Sequence, residues 1–214
     1  MAMHYMEQPK DYAVNFIKYA NNIYSQNGED GIIEEVFGRL WSEIIQGWAC
    51  DFGAWDGKHL SNTFNLVENY GWKCVMIEGD HQKYQDLITT ASEYKEIIPI
   101  ESVVHYLEGK GRKLDDILAD TEIPYDFDLL SIDVDSCDYH IWKSFENYSP
   151  KMVIIEYSGL DAHIIQREGA IHKEDIDGST SFWPIHELGD VKGYTLLCDT
   201  GNMIFLRNDL IDKL

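Results

Sequence analysis

The chain has 214 residues, of which 44% are hydrophobic and 13% aromatic, a composition typical of a globular domain with a large core. Its 17 basic and 38 acidic residues give a formal net charge of −21 at pH 7. A field of this sign repels phosphate backbones and anionic lipid surfaces, so we expect no nucleic-acid partner and no membrane partner.

The cysteines and the apolar segments indicate the cellular compartment of the protein. Cys50, Cys74, Cys137 and Cys198 lie far apart and form no C-x-x-C pair. Neither a zinc knuckle nor a disulfide framework follows, which favours a reducing compartment. The N-terminus lacks a basic region followed by an apolar core, and the chain has no run of about 18 apolar residues. We therefore expect a soluble, cytoplasmic protein.

The first part of the chain is predicted to be helical. Residues 1–23 are expected to form an N-terminal helical extension, with a short helix over 9–19. Residues 24–214 are expected to form a single domain, because no repeat, low-complexity tract or linker divides them. A longer helix starts this domain, and Asn27 is expected to cap it ahead of the acidic residues Glu29 and Asp30.

The pattern after that helix alternates between strands and helices. Strands are predicted at 47–53, 72–78, 96–104, 127–133 and 151–157, and helices at 59–70, 80–91, 113–119 and 138–147. This order predicts an α/β fold with a mostly parallel sheet and helices on both faces. Residues 194–199 and 202–207 flank Thr200-Gly201 as a hairpin, so the sheet should end in one antiparallel strand. The polar segment 158–180 between them has no clear period and is expected to be a functional loop.

A glycine loop after the first predicted strand is the most informative feature. The strand contains Asp51, and Gly53 and Gly57 follow, four positions apart. Glycines at a strand-to-helix turn let the backbone approach a ligand, and the helix N-terminus offers N–H groups to its anionic part. Glu78 ends the next strand, 21 residues after Gly57, where an acid holds the ribose hydroxyls of a nucleotide cofactor. The pair predicts an adenosine-containing ligand.

The identity of that ligand follows from the charge of the loop. A dinucleotide fingerprint needs G-x-G-x-x-G, which is absent here. Asp51 fits badly beside a pyrophosphate and well beside a cationic amino group, such as the methionyl end of S-adenosylmethionine (SAM). For the loop alone, a tight turn in an ordinary α/β protein stays an alternative.

Three further acids follow the fourth and fifth predicted strands. Asp133 and Asp135 end strand four and Glu156 ends strand five, at the sheet edge where α/β proteins bind ligands. Clustered carboxylates are stable mainly when they share a cation or a proton, and oxygen ligands suit Mg²⁺, Ca²⁺ or Mn²⁺. Asp135 could deprotonate a substrate hydroxyl. The alternative is that these acids cap helices and face water, as we expect of Asp138.

Histidines offer other candidates for a base that works at neutral pH. His140 follows the acidic loop, and His163 and His172 lie in segment 158–180. A surface position is the alternative for each of them. His59, at the start of the helix after the glycine loop, is expected to line the cofactor.

These residues together resemble the FkbM-like branch of SAM-dependent methyltransferases. The matching blocks are residues 24–31, 51–57, 59–63, 77–80 and 128–135, with Lys192-Gly193-Tyr194 and Asn202. They occur in order and cover most of the chain from residue 24 onward. The resemblance implies a Rossmann-like methyltransferase fold with a seven-stranded sheet and methyl transfer to oxygen.

The resemblance also implies roles for particular residues. Related sugar O-methyltransferases hold a divalent metal with acids at the ends of strands four and five. Asp133 and Glu156 are thereby implied as metal ligands, with Mg²⁺ the first expectation, and Asp133 and Asp135 as catalytic residues. The predicted donor-binding residues are Asp51, Gly53, Ala54, Gly57, Ser61, Asn62, Glu78, Gly79 and Ser102. The chain departs from the family at Ser136-Cys137, where members often carry Gly-Asn.

The function expected from the sequence is methyl transfer from SAM to a hydroxyl of a sugar or glycoconjugate, assisted by a divalent cation. The acceptor is a small molecule or a glycan, and segment 158–180 is expected to shape its site. Two alternatives stay open. Asp133-Val134-Asp135 is also the D-x-D of metal-dependent glycosyltransferases, and a SAM-binding protein without catalysis would share the donor residues. The sequence does not predict an oligomeric state.

Overall fold

The computed structural model describes residues 16–134, 137–158, 163–166 and 180–214. Within them the strands are β1 (Trp48–Phe52), β2 (Lys73–Glu78), β3 (Ile97–Glu101), β4 (Leu129–Ile132), β5 (Met152–Glu156), β6 (Tyr194–Asp199) and β7 (Asn202–Arg207). The α-helices are α1 (Glu29–Trp41), α2 (Phe64–Tyr70), α3 (His81–Glu93), α4 (Leu114–Leu118), α5 (Asp138–Ser144) and α6 (Phe182–Lys192). Short 3-10 helices cover Phe16–Tyr19 and Asn208–Lys213.

The strands form one seven-stranded sheet in the order β3-β2-β1-β4-β5-β7-β6. The pairs among β1 to β5 are parallel, whereas β7 runs antiparallel to both β5 and β6. The predicted Rossmann-like α/β fold, with a mostly parallel seven-stranded sheet and a C-terminal antiparallel hairpin, is confirmed by this order. The antiparallel strand lies inside the sheet, since β7 inserts between β5 and β6.

Helices cover both faces of the sheet, as predicted. Successive strand residues point to opposite faces, so Cys50 and Phe52 of β1 enter one hydrophobic core and Ala49 enters the other. The first core also takes apolar residues from α4, α5 and α6, and the second takes them from α1, α2 and α3. Both faces are buried, which explains why the parallel strands read as continuous apolar runs.

Two predicted helix starts are wrong, for local reasons. The helix predicted from residue 59 begins at Phe64, because Leu60 has a φ of 56° and Ser61 Oγ accepts the N–H groups of Thr63 and Phe64. Asn27 does not cap α1; the N-cap is Gly28, with a φ of 99° and no side-chain bond. A carboxylate of the first helical turn accepts the Asn27 N–H instead.

Helix α6 was not predicted from the sequence. Pro184 and Gly189 interrupt its apolar pattern, and both are compatible with a helix for structural reasons. Pro184 lies in the first turn, where its missing N–H has no partner within the helix. Gly189 packs on Phe205, because a Cβ there would lie 2.5 Å from the Phe205 Cε1 atom.

Residues 1–15 lie outside the described residues, so only Phe16–Tyr19 of the predicted N-terminal helix can be compared, and they form a 3-10 helix. Across the described ranges, no helix has both the length and the apolarity needed to cross a membrane. The cysteines in β1, β2 and β6 are free and buried, and such thiols behave as small core residues.

Candidate functional site

A cavity of about 620 Å³ opens at the carboxyl ends of the parallel strands. It lies where the strand order reverses between β1 and β4, which is the ligand-binding position of open α/β sheets. The donor residues predicted from the loop after β1 and the approach to α2 line it, namely Asp51, Gly53, Ala54, Ser61 and Asn62. From the ends of the other parallel strands come Glu78, Gly79, Ser102, Asp133 and Glu156. The structure thus brings most of the predicted site together.

Gly53 is the point at which the loop after β1 meets the loop after β4. Its φ is +81°, and a Cβ built there would lie 1.7 Å from the carbonyl oxygen of Asp133. Its N–H and that of Ala54 both donate to the Ile77 carbonyl, at 3.0 and 3.2 Å. Glycine is required here for both backbone conformation and space.

Gly57 does not line the cavity, although the sequence analysis placed it among the donor residues. It has a φ of +80°, and its N–H donates to the Ala54 carbonyl at 2.7 Å. A Cβ would lie 2.8 Å from Leu87 Cδ1 and 2.9 Å from Met76 Sδ. The absence of a side chain at Gly57 therefore lets the turn pack closely against β2 and α3.

Asp51 is a buried acid with hydroxyl partners. The residue is 5% exposed, and its side chain accepts hydrogen bonds from Thr63 at 2.8 Å and from Ser61 at 3.2 Å, while Ser131 is its register partner on β4. Burial raises the pKa of Asp51, and these hydroxyl groups oppose the rise. Among the described residues, no lysine, arginine or histidine forms an ion pair with it.

Glu78 anchors the glycine loop from the end of β2. Its carboxylate accepts the Trp55 N–H at 2.9 Å and the Asp80 N–H at 2.7 Å, and the residue is only 7% exposed. A carboxylate has about four acceptor positions, so capacity for ligand hydroxyls is left. Trp55 itself has a φ of +47°, a strained conformation of the kind that clusters at binding sites.

The mouth of the cavity is apolar, which the sequence analysis did not predict. Trp55, Leu60 and Val103 all line it and are 43%, 47% and 50% exposed. The Lys83 Nζ lies 4.8 Å from the centre of the Trp55 ring. A single sequence gave no signal for Val103, because the loop after β3 carries no motif.

Two acids lie side by side at the other end of the cavity. Ile132 of β4 is in register with Ile155 of β5, so Asp133 and Glu156 follow on adjacent strands. Asp135 lies outside the described residues. Within the described part, no group of three or more His, Cys, Asp and Glu residues could hold a metal ion.

Asp138 shapes the loop that carries these acids. We expected it to cap α5, but it is the first residue of that helix and its Oδ1 accepts the Val134 N–H at 2.8 Å. The N-cap position belongs to Cys137, which also lines the cavity. Asp138 therefore fixes the backbone between the two strands.

The histidines divide into those that line the cavity and those that do not. His59 lines it, so the contact expected between His59 and the cofactor stays a prediction. His140 and His163 do not: the His140 Nε2 lies 2.8 Å from the Gln166 carbonyl, and the His163 Nε2 lies 3.1 Å from Glu187. His172 lies outside the described residues.

His105 is a cavity residue that the sequence analysis missed. Its Nδ1 accepts the Leu107 N–H at 2.9 Å, and its ring stacks on Tyr106 at 4.7 Å. Burial lowers the pKa of His105, which favours a neutral imidazole. Gln26 and Ser131 also line the cavity without having been predicted.

No protein-family model matches this sequence, and no curated protein matches it. Solved structures resemble the chain at low identity. The AdoMet complex of M. jannaschii TYW2 is 16% identical with a TM-score of 0.44, over 87% of this chain and 79% of that one. The METTL16 MTase domain is 13% identical with a TM-score of 0.48, over 82% of this chain and 64% of that one.

The AdoHcy complex of PKMT2 from Rickettsia typhi is 14% identical with a TM-score of 0.43 over 65% of this chain. The chain spans about a quarter, 26%, of that protein's length. The fold is established by the chain's own strand order.

Proposed function

We propose that this protein is a SAM-dependent O-methyltransferase of the FkbM-like type, which methylates a hydroxyl of a sugar or glycoconjugate. The observation that carries the proposal is the pair of buried acids, Asp51 and Glu78, at the ends of adjacent strands in one cavity. Asp51 is placed to bind the donor's ammonium group, and Glu78 to accept hydrogen bonds from its ribose hydroxyls.

The charge of the cavity favours SAM over a nucleotide sugar. Four carboxylates line it, from Asp51, Glu78, Asp133 and Glu156, whereas Lys83 is the one lysine or arginine among its described lining residues. SAM carries an ammonium, a sulfonium and a carboxylate, and so has a net positive charge. A nucleoside diphosphate brings at least two negative charges and would be repelled. The glycosyltransferase alternative is disfavoured on this ground.

Methyl transfer needs alignment and the removal of one proton. The acceptor oxygen attacks the methyl carbon while the carbon–sulfur bond breaks, and the bonding electrons leave with sulfur as S-adenosylhomocysteine (SAH). We assign the hydroxyl proton to the carboxylate of Asp135, on the residue pattern after β4. The apolar mouth of the cavity, formed by Trp55, Leu60 and Val103, supports exclusion of water from this step.

The proposal includes a divalent cation, with Asp133 and Glu156 as its ligands. Both are oxygen donors on adjacent strands, which suits Mg²⁺ or Mn²⁺, and the remaining ligands would come from Asp135, water or the acceptor. When bound, the cation would lower the pKa of the acceptor hydroxyl. Asp133 and Glu156 themselves would hold the acceptor beside the methyl donor.

We assign the acceptor side to segment 158–180, within a single domain over 24–214. The segment leaves the sheet directly after β5, whose last residue is Glu156. Its two ends close on each other, since the Ser158 N–H donates to the Thr180 carbonyl and the Ser181 N–H donates to the Ile164 carbonyl, each at 2.9 Å. The described ends of the segment therefore meet directly after β5, which supports its assignment to the acceptor side.

Calorimetric titration tests the donor directly. Purified protein would be titrated with SAH, UDP and NAD, each with and without Mg²⁺. We expect SAH alone to bind, whether or not metal is present. Binding of UDP only with Mg²⁺ would support the glycosyltransferase instead. If none of the three ligands bound, the proposal would be contradicted. A protein that binds SAH but methylates no hydroxyl compound in an acceptor screen would fit the non-catalytic alternative.

Glu78→Gln is expected to weaken SAH binding roughly 10- to 100-fold, because hydrogen bonds to a charged group contribute about 1.5–3 kcal/mol. The matched control is Glu101→Gln. Glu101 is the partner of Glu78 in the β2–β3 register, does not line the cavity and should leave the SAH dissociation constant unchanged. Equal losses in the two variants would show that the effect is not specific to the ribose site.

Glu156→Gln is expected to impair the acidic end of the cavity and to spare the end that binds the methyl donor. SAH binding should stay within about 2-fold of the wild type, whereas Mg²⁺ binding measured by calorimetry should fall about 10-fold or more, since metal affinity depends on charged ligands. The control is the surface variant Glu187→Gln. Loss of SAH affinity in Glu156→Gln, with Mg²⁺ binding intact, would contradict the assignment of this carboxylate.

A further inference from the structure

We propose that Gln26 binds the carboxylate at the amino-acid end of the methyl donor. The inference rests on the proposed function and deepens it, because it explains the block of residues 24–31 that the sequence analysis singled out without a role. Gln26 lines the same cavity as Asp51, although it lies in the segment before α1. Its backbone and its position are both fixed by neighbouring residues.

The segment before Gln26 is held by one buried carboxylate. Asp30 is 1% exposed, and its Oδ2 accepts the consecutive N–H groups of Ile23, Tyr24 and Ser25 at 2.8, 2.7 and 2.7 Å. The Ser25 hydroxyl accepts the Asp30 N–H in return, at 3.1 Å. This pattern fixes the chain immediately before Gln26.

A second buried carboxylate holds the segment after it. Glu29 is 0% exposed; its Oε2 accepts the Asn27 N–H at 2.8 Å, and its Oε1 accepts from Thr200 at 2.7 Å and Asn202 at 3.1 Å. Gln26 is therefore fixed on both sides while its own side chain stays exposed to the cavity. Helix capping alone would not require that arrangement.

Contacts of this segment locate Gln26 at the donor's amino-acid end. The Tyr24 ring packs edge-to-face on Phe64, the first residue of α2, at 4.7 Å. Asn62, on the approach to that helix, lines the cavity with Asp51. Asn202, which Glu29 holds, pairs with the last residue of β5. Gln26 thus lies near the methionyl end of the proposed donor rather than near the ribose.

The chemistry of that end calls for a hydrogen-bond donor. The donor's ammonium fits Asp51, but its carboxylate needs N–H or O–H groups. The nearby Ser61 hydroxyl already donates to Asp51 at 3.2 Å, and one of the two N–H groups of the Asn62 amide donates to Ser131 at 3.2 Å. The Gln26 amide offers two N–H groups and makes no hydrogen bond to another described side chain or backbone group.

The test compares two ligands that differ in the amino-acid end. SAH carries the carboxylate, and 5′-methylthioadenosine lacks the whole amino-acid end but keeps the ribose and adenine. We expect Gln26→Ala to weaken SAH about 10-fold or more and to leave 5′-methylthioadenosine within about 2-fold. Gln26→Glu places a negative charge beside the carboxylate and should weaken SAH further. Gln85→Ala, an exposed glutamine on α3 outside the cavity, is the matched control.

The possible results separate the inference from the function on which it rests. A wild-type protein that binds no SAH overturns the proposed function itself. Wild-type binding of SAH that Gln26→Ala leaves unchanged overturns only the role of Gln26. Equal losses of both ligands would indicate a distorted cavity and also overturn it, and thermal unfolding of each variant shows whether the fold is retained.

Discussion

Replacing Gly53 with alanine is expected to lower the free energy of unfolding by roughly 3–5 kcal/mol, the range of severe backbone and packing defects, and to abolish calorimetrically detectable SAH binding. The added Cβ would lie 1.7 Å from the Asp133 carbonyl oxygen, so one of the two loops has to move. Those loops carry the donor side and the acidic side of the cavity, and their separation would disrupt both.

The matched control for this variant is Gly193→Ala. Gly193 has a φ of +83°, close to the +81° of Gly53, but a Cβ there would meet no atom within 4 Å. Its variant should show only the cost of a left-handed backbone, about 1–2 kcal/mol, and should bind SAH normally. Urea unfolding and calorimetry measure both quantities. Equal destabilisation of the two variants would mean that the close approach at Gly53 contributes nothing.

The sequence predicted the sheet well because its strands are buried on both faces. Such strands appear as apolar runs that end in polar residues, and parallel order makes all those ends meet at one edge. Asp51, Glu78 and Asp133 could be placed together for that reason alone. No knowledge of packing was needed to expect a cavity there.

The features that could not be predicted depend on contacts between distant parts of the chain. Gly189 reads as a helix breaker until its packing on Phe205 is known. Asn27 reads as a helix cap, but Glu29 binds its N–H and links it to Thr200, 171 positions from Glu29. That link helps to hold Gln26, the residue before Asn27, at the cavity. A periodic pattern contains no such information.

Replacing Asp51 with asparagine should have opposite effects on stability and on binding. Burial raises the pKa of Asp51, so the folded protein holds this proton more tightly than the unfolded chain does. The contribution of Asp51 to stability is therefore greatest below the ordinary pKa of an aspartate and is lost as pH rises through the raised, folded-state value. Above that value the ionised carboxylate is a net cost in the ligand-free protein.

Asp51→Asn removes that cost, and we expect the free energy of unfolding of the ligand-free protein at pH 7 to rise. The gain should vanish below about pH 4, where the wild-type residue is protonated in both states. Asp209 is the contrasting control: its hydrogen bond with Arg207 lowers its pKa, so Asp209→Asn should reduce stability at pH 7.

The same substitution should weaken SAH binding about 100-fold or more, because removing one partner of a buried charge pair costs 2–5 kcal/mol or more. The wild-type affinity should also fall as pH drops through the raised pKa of Asp51, and the variant should lose this dependence. Calorimetry from pH 5 to 8 measures both effects. Asp51 is buried although its ionised form lowers stability. Binding of a cationic group of the ligand would explain why an acid is present at this position. Reduced stability at pH 7 with undiminished SAH binding would assign Asp51 to the fold and remove the main support for the donor site.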